Sequence, residues 1–346
     1  MTPKNFAPAW RCLLLLGAAW VAGCGRPAAP ADTSAGTAAP GSQPLQKVTL
    51  LLDWYPSAEH GGLYEALVKN YYRDAGLDVT IAPGGPASFP LQMIGTGRAP
   101  FALGRCDDVI LAARQGLPLV IVCAQMEHDP QAVMVHADSP VRTLRDLDGR
   151  SVMAGPAANW VAYVQAHYGI KFQVIPTDWG IGRFIADKDF IQQCFISNEP
   201  YYAEANGVKT RAILVAGGGY DPYRVIFTSR SYAQAHPDVV RGFVAATIRG
   251  YTEFLHGDAA QARARIQSEN PSQTPALIDY SISAMKEYKV VEGDPAKGER
   301  TGLVTPERMN AMQETLVELK ILDAPMPLDR FASFDFLPPG PAPAPR

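Results

Sequence analysis

The stretch LLLDWYPSAEHGGLYEA, residues 50–66, contains the pattern that decides the fold. The apolar run Val48–Leu52 predicts a buried strand, because both of its faces are hydrophobic. The run is followed by Asp53-Trp54-Tyr55, after which two glycines open a helical pattern. In an open parallel sheet, ligands bind in the crevice at the carboxyl ends of the strands. A carboxylate beside two aromatic rings therefore predicts a site for a flat, nitrogen-containing molecule. The alternative is that both rings pack on the sheet edge.

Beyond this stretch, short apolar runs alternate with longer amphipathic ones, which predicts an α/β fold with mixed, mainly parallel sheets. The last third, from residue 237 to residue 319, is almost entirely helical in pattern. Two segments, 131–140 and 217–229, join an apolar strand to turn residues, as a hinge between lobes does. We therefore predict that lobe 1 contains residues 47–136 and 224–336, and that residues 137–223 form an inserted lobe 2.

The N-terminal segment predicts export and a lipid anchor. Lys4 and Arg11 precede the apolar run Cys12–Ala22, which is too short to span a bilayer but is typical of a signal sequence. The run ends in Val-Ala-Gly-Cys, which resembles the lipobox of bacterial lipoproteins. We expect residues 1–23 to be a cleaved signal peptide and Cys24 to carry the lipid on the periplasmic side of a bacterial membrane. The alternative, an ordinary signal peptide or short anchor, also places the protein outside the cytoplasm.

Two segments rich in small residues and proline flank the predicted lobes. We expect residues 24–46 to be a disordered linker and residues 337–346 a disordered tail, because neither has enough apolar surface to fold. Without the signal peptide the chain has 29 basic and 34 acidic residues, a net charge of −5. This charge, together with the lack of any basic run, argues against a nucleic-acid partner.

The cysteines predict neither a disulfide scaffold nor a metal site. Apart from Cys12 and the predicted lipid-carrying Cys24, they are Cys106, Cys123 and Cys194, with no pair at Cys-x-x-Cys spacing. Cys123 lies in an apolar run and is expected in the core. A disulfide between the other two stays open, because sequence spacing does not decide it.

Three further motifs carry a resemblance to a known family. They are Asp53-Trp54-Tyr55-Pro56, His60-Gly61-Gly62-Leu63-Tyr64, and ISNEPYYAEANG at residues 196–207. Over residues 47–325 the chain resembles type II periplasmic solute-binding proteins, and more narrowly the branch that binds thiamine-pyrimidine precursors and shares its fold with a fungal pyrimidine synthase. The resemblance implies a two-lobed fold with a glutamate, here Glu199, facing the cleft.

The chain departs from that branch in two ways. The cysteine-rich CCCFC-type signature of the fungal enzyme is absent, which argues against the synthase reaction. A phosphate-binding type of loop is replaced by AGPAANW, residues 154–160, which suggests a different or larger ligand.

Carboxylates and aromatic rings dominate the predicted ligand site. Asp53 and Glu199 would accept from the exocyclic amine of an aminopyrimidine and share a proton with its ring, while Trp54, Tyr55 and Trp160 would stack on it. The alternatives are a cap for Asp53, a dipole-stabilised surface position for Glu199, a helix-entry bond for His60, and N-capping for Asp107. The full predicted set is Asp53, Trp54, Tyr55, His60, Tyr64, Asp107, Asn159, Trp160, Glu199 and Tyr223.

The resemblance implies a receptor lipoprotein that delivers a small aromatic N-heterocycle, such as formylaminopyrimidine or hydroxymethylpyrimidine, to the permease and ATPase of an ABC importer. We expect a monomer with no cofactor, metal or catalytic residue. Riboflavin, nitrate and sulfonates are alternative cargoes. Two other functions stay open: a pyrimidine synthase that would hold pyridoxal phosphate on Lys69 or Lys47, and a sensory lipoprotein without an importer.

Overall fold

Two five-stranded mixed sheets form the framework of the protein. The computed structural model describes residues 44–155 and 158–339; the predicted signal peptide, Cys24 and residues 340–346 lie outside the described residues. The strands are β1 (Gln46–Leu51), β2 (Leu77–Ala82), β3 (Phe101–Arg105), β4 (Leu119–Met126), β5 (Gln131–His136), β6 (Ser151–Ala154), β7 (Gln173–Pro176), β8 (Gln192–Phe195), β9 (Thr210–Leu214) and β10 (Arg224–Ser229). The helices are α1 (Gly61–Val68), α2 (Tyr71–Asp74), α3 (Pro90–Gly95), α4 (Cys106–Arg114), α5 (Asn159–Tyr168), α6 (Gly182–Ala186), α7 (Glu199–Ala205), α8 (Arg230–Ala235), α9 (Pro237–His256), α10 (Ala260–Glu269), α11 (Pro275–Glu287) and α12 (Pro306–Glu318).

The strand order is β2-β1-β3-β10-β4 in the first sheet and β7-β6-β8-β5-β9 in the second. The prediction of mixed sheets is confirmed, but parallel pairing does not dominate: in each sheet two of the described strand pairs are parallel and two are antiparallel. Every antiparallel pair includes β5 or β10. These are the strands that begin after the chain has crossed from one sheet to the other, so the crossings reverse the strand direction.

The chain crosses between the sheets at residues 127–130 and returns at residues 215–223. The structure differs here from the predicted lobe boundary, because residues 131–136 form β5, which pairs with β8 and β9 in the second sheet. On the edge of β4 that faces away from β10, Ile121 is bridged to Ala332. Residues near Ala332, and not β5, therefore lie along this edge of the first sheet. We therefore use lobe 1 for residues 44–126 and 224–339, and lobe 2 for the described residues from 131 to 214.

Helix α1 packs closely on the long helix α9, and small residues allow this approach. A Cβ added to Gly250 would collide with the main-chain oxygen of Gly62, and one added to Gly62 would collide with the ring of Tyr251. The helical pattern that opens at Gly61-Gly62 is divided into α1 and α2, because Asn70 adopts φ 63°. Asparagine is one of the few residues that tolerates this left-handed conformation.

The structure also describes the three cysteines of the lobes and the length and polarity of the helices. Cys106, Cys123 and Cys194 are all buried free thiols, so the disulfide left open by the sequence does not form. In the described part of the chain, no helix is both long and apolar enough to cross a membrane.

Candidate functional site

The residues that follow the carboxyl ends of strands in the two sheets face one another. In lobe 1, Asp53 follows β1 and Arg105 ends β3; in lobe 2, Trp179 lies between β7 and α6, and residues 197–199 follow β8. Side chains from these segments touch across the lobes at several points. The sequence predicts a ligand cleft at this shared edge, which we call the cleft.

Asp53 is held in its charged form inside lobe 1. One carboxylate oxygen pairs with the Arg224 guanidinium, and the other accepts from His60 Nε2 at 3.2 Å. Burial alone would raise the pKa of Asp53, but Arg224 and His60 outweigh it and hold that pKa well below its usual range. The other imidazole nitrogen, Nδ1, accepts from the Ser57 main-chain N–H at 3.3 Å. Both nitrogens of His60 are thus already bonded, as the helix-entry alternative requires.

Asp107 ties both lobes and a crossing together. Its carboxylate accepts from Arg105 Nε at 3.1 Å and Nη2 at 3.0 Å, from Asn159 Nδ2 at 2.8 Å, and from the Tyr220 hydroxyl at 2.5 Å. Burial opposes its ionisation, yet Arg105 and the donors lower its pKa. Asp107 is 0% exposed, so this carboxylate is saturated by the protein itself.

Three other carboxylates in the cleft lack an ion-pair partner among the described residues. Glu199 accepts from the Phe195 main-chain N–H at 2.7 Å, and burial raises its pKa to about 7. Burial and the neighbouring Asp107 raise the pKa of Asp108 to about 7 as well. Glu59 of lobe 1 accepts a hydrogen bond from the Ser197 hydroxyl of lobe 2, and burial raises its pKa. This part of the cleft favours a solute that brings positive charge or hydrogen-bond donors.

Indole rings from both lobes meet at the mouth of the cleft. The ring centroids of Trp54 and Trp179 are 4.8 Å apart with an interplanar angle of 49°. Tyr55 makes an edge contact with Trp54 at 5.5 Å and is 51% exposed. Flat aromatic faces therefore come from lobe 1 as predicted, but their partner in lobe 2 is Trp179.

Three predicted site residues lie elsewhere. Trp160 is 0% exposed and packs on Phe172 in the core of lobe 2, so it presents no face to Trp54. The Tyr64 hydroxyl donates to Glu269 on α10 at 2.6 Å. Tyr223 ends the returning crossing, where the Arg308 guanidinium covers its ring at 3.8 Å.

Five residues of the site escape the sequence prediction: Glu59, Arg105, Asp108, Trp179 and Arg224. Glu59 had a usable signal, since it stands between a strand end and a helix start in the deciding stretch. Arg224 gave none, because its pairing with Asp53 depends on the antiparallel insertion of β10 beside β3, whereas Arg105 stands only two residues before its partner Asp107. Within the described residues, no group of three or more His, Cys, Asp or Glu side chains is placed to hold a metal ion.

Comparison with known proteins identifies the family. Residues 57–260, more than half of the chain, match the family model described as NMT1/THI5 like. The chain belongs to the NMT1/THI5-like family. It is 29% identical over 252 residues to the formylaminopyrimidine-binding protein of Halalkalibacterium halodurans, covering 70% of this chain and 76% of that protein. It is 27% identical over 245 residues to the riboflavin-binding protein RibY of Chloroflexus aurantiacus, covering 66% and 68%.

The fold of this chain is similar to that of solved periplasmic binding proteins. The aliphatic sulphonate-binding protein SsuA from Escherichia coli superposes with a TM-score of 0.60 at 15% identity, covering 82% of this chain and 91% of SsuA. At this identity the likeness concerns the fold alone. The predicted resemblance to type II periplasmic solute-binding proteins, and the two-lobed fold that it implies, are confirmed.

Proposed function

We propose that this protein captures a small, flat nitrogen heterocycle between its two lobes, outside the cytoplasm, for delivery to an ABC importer. The observation that carries the proposal is the composition of the cleft. Each lobe contributes an indole and a carboxylate that forms no ion pair among the described residues: Trp54 and Glu59 come from lobe 1, and Trp179 and Glu199 from lobe 2. A solute that satisfies both carboxylates bridges the lobes, so the closed state gains contacts that the open state lacks.

An aminopyrimidine fits this arrangement chemically. Its exocyclic amine donates to a carboxylate while the adjacent ring nitrogen shares the carboxyl proton, and Glu199, with a pKa near 7, is suited to both. Charge-assisted bonds of this kind contribute roughly 1.5–3 kcal/mol each. Asp53 has a different part in the proposal: because Arg224 and His60 already occupy it, it positions these two side chains beside the solute.

The cleft is a poor site for anions. Its two guanidinium groups, on Arg105 and Arg224, are already paired with Asp107 and Asp53. The remaining carboxylates would repel nitrate or a sulfonate, and burial strengthens that repulsion. The proposal therefore favours a formylaminopyrimidine or hydroxymethylpyrimidine type of solute over the anionic cargoes. Riboflavin is the second candidate, since a riboflavin-binding protein is among the relatives.

The cellular location and the partner proteins are part of the same proposal. A lipid on Cys24 would tether a monomer to the periplasmic side of a membrane, within reach of a permease and its ATPase. The enzyme alternative finds no support in the positions of its lysines. Lys69 pairs with Glu65 at 3.7 Å, and Lys47 is exposed at the start of β1, whereas Asp53 follows the opposite end of that strand.

Isothermal titration calorimetry tests the proposal. The purified protein is titrated with formylaminopyrimidine, hydroxymethylpyrimidine, thiamine, riboflavin, nitrate and taurine. We expect tight binding of a pyrimidine and no heat from the two anions. The Glu199→Gln variant should bind at least about tenfold more weakly, while the control Glu204→Gln, an exposed position on the same helix, should bind like the original protein. Preferential binding of an anion, or no binding across the panel, would overturn the proposed function.

A further inference from the structure

Trp54 and Trp179 make an aromatic contact between the lobes that the polar chemistry of the site does not require. Trp54 follows β1 in lobe 1, whereas Trp179 follows β7 in lobe 2. Their centroids are 4.8 Å apart although Trp179 remains 56% exposed. The pair therefore lies at an exposed edge of the contact between the lobes.

The loop that carries Trp179 is held in an unusual shape. Trp179 has φ 60°, a left-handed conformation that a bulky residue rarely adopts. Two side-chain bonds maintain it: the Trp179 N–H donates to Thr177 Oγ1 at 3.0 Å, and the Gly180 N–H donates to Asp178 Oδ1 at 2.9 Å. Unfavourable backbone conformations of this kind concentrate at ligand clamps and switch regions. An exposed indole on a strained loop adds little to the stability of lobe 2. We therefore attribute the loop conformation to the contact between Trp179 and Trp54.

We propose that Trp54 and Trp179 form an aromatic clasp that holds the two lobes together over the cleft before the solute binds. Aromatic pairs add stabilisation beyond the area that they bury. By raising the population of the closed state in the free protein, the clasp removes part of the cost of closure from the binding step. Trp179 is thus a positioning residue. Its effect on affinity rests on the proposed function, whereas the clasp of the free protein does not.

The solute-free protein provides the first test. Two indoles in contact produce a coupled signal in circular dichroism, and small-angle X-ray scattering reports the radius of gyration. We expect the coupled signal in the original protein, its loss with a larger radius in Trp179→Ala, and partial recovery of compactness in Trp179→Phe. Phe89→Ala is the control, because Phe89 is a 65% exposed aromatic residue of lobe 1. An unchanged radius and dichroism signal in Trp179→Ala would overturn the clasp.

Binding provides the second test. For a solute that the original protein binds, Trp179→Ala should weaken affinity about two- to tenfold, the range expected for one aromatic pair, mostly through faster dissociation. Phe89→Ala should leave it unchanged. Equal affinity of Trp179→Ala and the original protein would refute the role of the clasp in binding. If the original protein binds nothing in the panel, the proposed function fails while the solute-free measurements still decide whether the clasp exists.

Discussion

Replacing Glu199 with glutamine should stabilise the protein and weaken solute binding at the same time. Burial raises the pKa of Glu199 from 4.5 to about 7, so the folded protein holds a proton that the unfolded chain releases at a lower pH. Over that interval the unfolded state binds fewer protons, and stability therefore falls as the pH rises. The interval corresponds to about 3 kcal/mol, which is fully lost above the folded-state pKa.

Glutamine resembles the protonated acid in shape and still accepts from the Phe195 N–H, so the variant should match the original protein at about pH 5. At about pH 8 it should be more stable by up to about 3 kcal/mol. Urea unfolding at both pH values measures the difference directly, and subtracting the two proteins cancels the titration of every group that does not interact with Glu199. Glu204→Gln, exposed on the same helix, should track the original protein at both.

In the binding assay, Glu199→Gln should be unfavourable, although the same substitution increases stability. Glutamine keeps an acceptor oxygen but neither carries charge nor shares a proton, so the affinity for an aminopyrimidine should fall by roughly 1.5–3 kcal/mol. A stability difference that is the same at both pH values would refute the assigned ionisation of Glu199. A stabilised variant with unchanged affinity would refute its place in the site.

Two substitutions test the support behind the site, each against a matched control. Asp53→Asn leaves the Arg224 guanidinium, 11% exposed, without its counter-ion, and should cost about 3 kcal/mol in urea unfolding; Asp78→Asn breaks an ion pair that is half exposed and should cost less than about 0.5 kcal/mol. Equal losses would show that the buried pair has no special weight. Gly250→Ala forces α9 away from α1 and should destabilise by about 1–3 kcal/mol or more, whereas Gly182→Ala meets open space and should be neutral. If Gly250→Ala leaves the free energy of unfolding unchanged, the close packing of α1 on α9 does not contribute to stability.

The sequence specified most of the local structure, because alternating burial leaves a direct trace in residue pattern. The predicted alternation of strands and helices occurs between residues 46 and 235, and residues 237–319 are mostly helical, as expected. The sheet that each strand joins is harder to predict from the sequence. The run 131–136 would be mostly apolar in either sheet, and only the position of the crossing decides that it joins lobe 2. The relative direction of β5 and β10 is a property of the chain path, so no local pattern encodes it.

The site was harder to predict than the fold, for reasons visible in single residues. Asp107 and Asp108 are neighbours in sequence, yet Arg105 forms an ion pair with Asp107 and none with Asp108, which only shares the Asn159 amide at 3.4 Å. The sequence favours Trp160 over Trp179 as a stacking ring, and the structure reverses that order. Tertiary packing buries the first against Phe172, and a left-handed backbone turns the second outward.

Charge and closure are linked in this cleft. Glu59 on lobe 1 and Glu199 on lobe 2 are close enough for the first to raise the pKa of the second, so ionising both favours separation of the lobes. The hydrogen bond from Ser197 to Glu59 and the indole contact oppose that separation. A solute that donates hydrogen bonds to both carboxylates removes the repulsion and adds contacts on each side, whereas an anion would increase it. Under the proposed function, the like-charge repulsion that opposes closure without solute would therefore select a solute rich in donors.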